Sequence, residues 1–134
     1  MSRGSVIDFQ LNTIAEAIDA IGRGELVIVM DDKHRENEGD LIMAAEWATP
    51  ESLAFMVRHT TGIVCVAMEG ERLDTLDLPP MVAAGSDRHG TAFTVSVDVR
   101  HGTTTGVSAA DRARTIRALA NPTSRPDDFM RPGH

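Results

Sequence analysis

Leu26-Val27-Ile28-Val29-Met30 is continuously apolar, and DDKHRENEGD follows at once over residues 31–40. The run is rich in β-branched residues and shows no polar alternation. That pattern predicts a short strand covered on both faces. A chain with such a strand must supply the cover. Residues 12–22 offer a first helix, with Ile14, Ala17, Ile18 and Ile21 at helical spacing and Gly22 and Gly24 after it. Thr49-Pro50-Glu51 offers a second start: a capping Thr, Pro in the first turn and an acid near the helix N-terminus. That helix should run to about His59, with Gly62 able to end it.

Further strands are expected at residues 41–45 and 63–68, and at 91–99, where Phe93, Val95, Val97 and Val99 alternate. A short helix is expected over 71–76, stopped by Pro79-Pro80. Ser108, with Asp111 three residues on, resembles a capping box and predicts a helix from Ala109 to about Ala120. The tail NPTSRPDDFMRPGH reads as irregular. Strands and helices in rough alternation predict an α+β fold, a sandwich-like arrangement of a mixed β-sheet with helices packed on it. The length of 134 residues suits one domain spanning 1–134.

The formal net charge is −7, which argues against a nonspecific nucleic-acid partner, since phosphate neutralisation needs a basic face. Cys65 is the lone cysteine, so no internal disulfide forms and a reducing compartment is expected. MSRGSVIDFQLN lacks the apolar core of a signal peptide, and no apolar run is long enough to span a membrane. A cytoplasmic protein is expected.

The acidic stretch is where chemistry is expected. A solvated loop is the plainer reading of any charge cluster. Here Glu36, Glu38 and Asp40 alternate, so an extended backbone would point all three to one side. Three such carboxylates need a cation, and a hard divalent ion with oxygen ligands suits them. Arg35 beside them carries a planar fork able to grip a phosphate or hydroxyl. An EF-hand loop does not fit, because the sixth-position Gly, the preceding helix and the twelfth-position Glu are missing.

GTTTGVSAADR, residues 102–112, joins glycines and hydroxyls to a helix start that would suit a phosphate. No Lys follows the glycine, so it is not a P-loop, and a plain capped helix entry is the competing reading. Cys65 in IVCVAM reads as a small buried hydrophobe, with no CxxC or paired His to suggest zinc. His59, His89 and His101 are scattered and read as incidental, and His134 reads as tail.

In order and spacing, DDKHRENEGDL, HTTGIVCV, LDLPPMV, GTAFTVSVD, TTGVSAADR and RPGH together resemble 3,4-dihydroxy-2-butanone 4-phosphate synthase of riboflavin biosynthesis, from about residue 12 to the last residue. The resemblance implies a lyase that converts D-ribulose 5-phosphate into 3,4-dihydroxy-2-butanone 4-phosphate and formate. It implies Mg²⁺ or Mn²⁺, no redox cofactor, and a homodimer with sites at the subunit interface. Carried onto this chain, it makes Glu36 the metal ligand and Arg35 and Asp40 substrate-binding residues. Asp40 is also a candidate acid/base, and Glu38 belongs to the same loop. Thr105 and Ser108 would sit near the phosphate. Cys65 becomes a site-facing cysteine, and His134 a catalytic histidine.

The family pattern continues beyond His134 with a Gly-His-Thr-Glu segment, whose histidine is a second metal ligand, and a later glutamate. The resemblance therefore implies that the C-terminal part of the domain is missing from this sequence, and that the 134 residues are a piece of a longer enzyme. Two rival readings stand beside it: a non-catalytic dimerisation or sugar-phosphate-binding module of the same fold, and a divalent-metal phosphate-ester hydrolase. The lack of a second acidic cluster or His pair speaks against the hydrolase.

Overall fold

A computed structural model describes residues 10–134. Most of the MSRGSVIDFQLN stretch, on which the signal-peptide reading rests, lies outside the described residues. Helix α1 covers Ile14–Gly22. Thr13 and Glu16 form a reciprocal capping box: the Glu16 N–H donates to Thr13 Oγ1 at 3.2 Å, and the Thr13 N–H donates to Glu16 Oε2 at 2.7 Å. Strands β1 (Val27–Met30) and β2 (Gly39–Ile42) pair antiparallel, with Val29 opposite Asp40 and Met30 opposite Gly39. The acidic stretch is therefore the loop of a hairpin.

A single 3-10 turn, Ala45–Trp47, leads to α2 (Pro50–His59). Thr49 caps α2 as expected, and Thr60 rather than Gly62 closes it. Helix α3 spans Gly70–Thr75, β3 spans Asp98–Val99 and α4 spans Ala109–Ala120. Strand β4 (Phe129–Met130) pairs antiparallel with β3. Helices packed beside small antiparallel sheets make the fold α+β, as the sequence predicts. Among the described residues, no helix is long and apolar enough to cross a membrane.

Two apolar clusters hold these elements. Leu76, Leu78, Val99, Leu119 and Phe129 form one, and Ala48, Leu53 and Ala113 form the other, where α2, α4 and the 3-10 turn meet. Phe129 is completely buried. The tail expected to be irregular thus supplies a strand and a core residue. The prolines do not make the tail irregular, because Pro126 opens a 3-10 turn that delivers Phe129 to the sheet.

Three strand expectations need correction. Strand β1 is not covered on both faces by the described residues: Ile28 is 70% exposed and Met30 53%. Continuous apolarity reports what a strand would bury, and a two-stranded hairpin alone cannot bury it. Residues 63–68 join no ladder among the described residues, although their burial alternates as in a strand. Val64, Val66 and Met68 pack inward, while Ile63 and Cys65 face out. Over 91–99, the ladder is confined to Asp98–Val99, with one isolated bridge from Thr94 to Pro80.

Candidate active site

The acidic loop is built around Asp31. Its Oδ1 accepts the Glu38 N–H at 2.8 Å, and its Oδ2 accepts the Glu36 N–H and the Arg35 Nη1–H, both at 3.0 Å. Asp32 adds a second brace, accepting the His34 N–H at 2.7 Å. Asn37 takes a positive φ of 53°, which lets the chain turn back toward β2. The Glu38 amide, ahead of Glu36 and Arg35, holds the Asp31 carboxyl below its ordinary pKa. In the sequence, Asp31 stands in the acidic cluster with nothing to set it apart from its neighbours except its position, the first residue after an apolar strand.

This loop does not stay extended. Residues 33–36 form a turn and β2 begins at Gly39, so the expected one-sided alternation of three carboxylates is lost at Glu36. Glu38 and Asp40 line a groove with Cys65, whose other walls include Met56, His59, Thr60 and Thr61. Glu36 instead faces Arg35, with Oε2 3.5 Å from Nη1, and His89, with Oε1 4.0 Å from Nε2. His89, set aside as incidental in the sequence, is thus beside the expected metal ligand. No local signal could have placed it there.

Cys65 is exposed rather than the small buried hydrophobe first read. Partial burial, and then the negative charge of Asp40, push its thiol pKa up. At neutral pH the sulfur keeps its proton, so it can donate weakly to a ligand but is a poor nucleophile.

Thr105, Ser108 and His134 gather elsewhere, around the start of α4. Ser108 caps the helix, its Oγ accepting the Asp111 N–H at 3.0 Å. Its hydroxyl proton remains able to donate. The Thr103 hydroxyl donates to Val99 O and the Thr104 hydroxyl to Asp111, while Thr105 is exposed beside the helix N-terminus. His134 is held by Asp98: its N–H donates to both carboxylate oxygens, and Nδ1 lies 2.8 Å from Oδ2. Asp98 is 3% exposed. Its carboxylate only accepts, so Nδ1 is the donor and Nε2 is left free to take a proton. The sequence reading missed Asp98, although a carboxylate inside VSVDV was a visible anomaly. Among the described residues, no side-chain hydrogen bond or ion pair joins this group to the Glu38–Asp40–Cys65 groove.

A hard cation fits the Glu36 carboxylate, an exposed oxygen donor. Among the described residues, no group of three or more His, Cys, Asp or Glu gathers to hold an ion. Water and ligand oxygens would fill most of the coordination shell, as they commonly do for Mg²⁺.

Residues 15–134 match the family described as 3,4-dihydroxy-2-butanone 4-phosphate synthase. The protein of that name from Agrobacterium fabrum is 62% identical over 121 residues, covering 90% of this chain and 57% of the relative. The riboflavin biosynthesis protein RibBA of Nocardia farcinica is 58% identical over 125 residues, covering 93% of this chain and 30% of the relative. A crystal structure of 3,4-dihydroxy-2-butanone 4-phosphate synthase in complex with two magnesium ions superposes with a TM-score of 0.91 at 53% identity, covering 92% of this chain and 58% of that one. The chain therefore spans from 30% to 58% of the lengths of these relatives.

Proposed function

Because the chain belongs to the 3,4-dihydroxy-2-butanone 4-phosphate synthase family, we propose that it takes part in the lyase reaction that turns D-ribulose 5-phosphate into 3,4-dihydroxy-2-butanone 4-phosphate and formate for riboflavin synthesis. The observation that carries this reading is the groove that gathers Glu38, Asp40 and Cys65 beside the loop bearing Arg35 and Glu36.

The reaction asks for proton transfers at carbons next to a carbonyl, loss and regain of one water, a skeletal shift and release of one carbon. Asp40 and Glu38, both exposed, are placed to take and return protons. Arg35 grips a sugar hydroxyl while Asp31 fixes its other side. Thr105, the Ser108 hydroxyl and the N-terminus of α4 receive the phosphate. His134 serves as a base through Nε2, with Asp98 orienting the ring. Glu36 holds Mg²⁺, or Mn²⁺, which when bound polarises the sugar carbonyl.

Among the described residues, no side-chain hydrogen bond or ion pair joins the groove to the residues at the start of α4. A homodimer that brings the groove of one protomer to the α4 start of its partner would assemble the whole set. Exposed Ile28, Met30 and Ile63 offer apolar surface for such an assembly. The lone Cys65 suits a reducing cytoplasm, and the net charge of −7 suits a small anionic substrate met by local arginines rather than a nucleic acid.

The test is formate release from ribulose 5-phosphate with and without Mg²⁺, in the wild type and in Glu36→Ala. Metal-dependent formate that Glu36→Ala abolishes supports the reading. Ribulose 5-phosphate binding with no formate would favour a binding module, and formate undiminished in Glu36→Ala would defeat the assignment of Glu36.

A further inference from the structure

Asp111 sits in the first turn of α4 and is 5% exposed. Its main-chain N–H belongs to the Ser108 cap, while its carboxylate bonds to the loop that precedes the helix. Oδ2 accepts the Thr104 N–H at 3.1 Å, the Thr104 hydroxyl at 2.8 Å and the Gly106 N–H at 3.0 Å. The Thr104 hydroxyl, followed by burial working against it and then the two amides, leaves the carboxyl below its ordinary pKa, so it is ionised when it makes these bonds.

Those bonds wind residues 104–106 back over the helix start. At the end of the turn is Gly106, buried, with a φ of +92° that a residue with a side chain rarely adopts. A Cβ on Gly106 would run into both oxygens of the Asp98 carboxylate. The main chain of Gly106 is thus laid directly on Asp98, the group that orients His134. From Asp111 to Gly106, from Gly106 to Asp98, and from Asp98 to His134, each contact fixes the next.

We infer that Asp111 is a positioning residue for His134: by pinning Gly106 over the Asp98 carboxylate it shields that carboxylate from water and keeps the imidazole with Nδ1 as donor and Nε2 free. The same carboxylate sets the loop that presents Thr105, so one buried acid places both the ring and the neighbouring hydroxyl. The task given to the free Nε2 rests on the lyase reading above, whereas the orientation of the ring does not.

The test reads the ring directly. In the ¹⁵N-labelled full chain, long-range ¹H–¹⁵N correlations report which imidazole nitrogen of His134 carries the proton. The wild type should show one pattern, with the proton on Nδ1. Asp111→Asn replaces an oxygen-only acceptor with a group that also donates, against three donors already in place. It should lose the single pattern and show exchange between tautomers, as should Asp98→Asn. Asp111→Asn that is folded by circular dichroism and keeps the wild-type pattern overturns the inference, because a purely structural role would lower stability and leave the tautomer alone. Should Asp111→Asn fail to fold, Thr104→Val decides: it removes the shortest of the three bonds, and an unchanged ring overturns the inference while a mixed one upholds it. None of these readings needs turnover, so an absence of formate would count against the lyase reading alone.

Discussion

The Glu38 N–H donates to Asp31 Oδ1 at 2.8 Å across the mouth of the hairpin loop. The carboxylate that shapes the loop is therefore distinct from the carboxylates the loop presents. Asp31→Ala should leave β1 and β2 paired but free the amides of Glu36 and Glu38. Hydrogen exchange at those two amides is expected to quicken by about tenfold or more, since each loses a charge-assisted partner. Unchanged protection would show that the turn holds without Asp31.

Acid should undo the same brace. The folded-state pKa of Asp31 is lowered, chiefly by the Glu38 amide. Its contribution is complete above the unfolded carboxylate value of about 3.9 and disappears as pH falls through the lower folded value. The Asp31 side-chain carboxyl carbon resonance, followed by NMR from neutral pH downward, should titrate only below the ordinary carboxylate range. A midpoint at or above the ordinary value would contradict this.

Cys65 should be a slow nucleophile at neutral pH. Its thiol pKa is raised, first by burial and then by the charge of Asp40. Alkylation by iodoacetamide should rise with pH and reach half its plateau rate above the value for a free thiol, about 8.5. Removing the neighbouring charge with Asp40→Asn should move that midpoint down. A rate already at its plateau near pH 7 would mean a thiolate and a different role for the sulfur.

Phe129 should carry more stability than its place in a proline-rich tail suggests. It is completely buried against Leu76, Leu78, Val99 and Leu119. Phe129→Ala should cost about 3–5 kcal/mol, and Leu53→Ala in the second cluster about 2–5 kcal/mol, in urea unfolding. A loss below about 1 kcal/mol at Phe129 would place that ring outside the cooperative core.

Glu36→Ala should weaken Mn²⁺ binding, measured by electron paramagnetic resonance on the complete protein, by more than the about 10–100-fold typical of outer-shell partners. A match to wild-type affinity would remove Glu36 from the metal site.

Local signals in the sequence were reliable. Thr49-Pro50 and Ser108 mark the starts of α2 and α4, and α4 runs from Ala109 to Ala120, the span expected from the Ser108 start. These features depend on neighbours three or four residues away, which the sequence displays. Pairing was less legible. Residues 63–68 carry the pattern of a strand, but a ladder needs a partner that periodicity does not supply. The chemical residues divide in the same way. Glu38 and Asp40 stand out in their own stretch, whereas the bonds from Asp98 to His134, and the approach of His89 to Glu36, exist only after distant segments meet. The spacing of Ser108 and Asp111 resembles a capping box. The Asp111 side chain turns instead to Thr104 and Gly106, a choice that helix rules do not contain.

Between β1 and β2, the loop keeps its shape through two aspartates and the main-chain N–H groups of residues 34, 36 and 38. Main-chain donors are the same whatever side chain is attached. The outward positions are therefore interchangeable fittings on a fixed bracket. Lys33, His34 and Glu36 could be exchanged, and the reactivity of the hairpin redirected, while the backbone that carries them stays where it is.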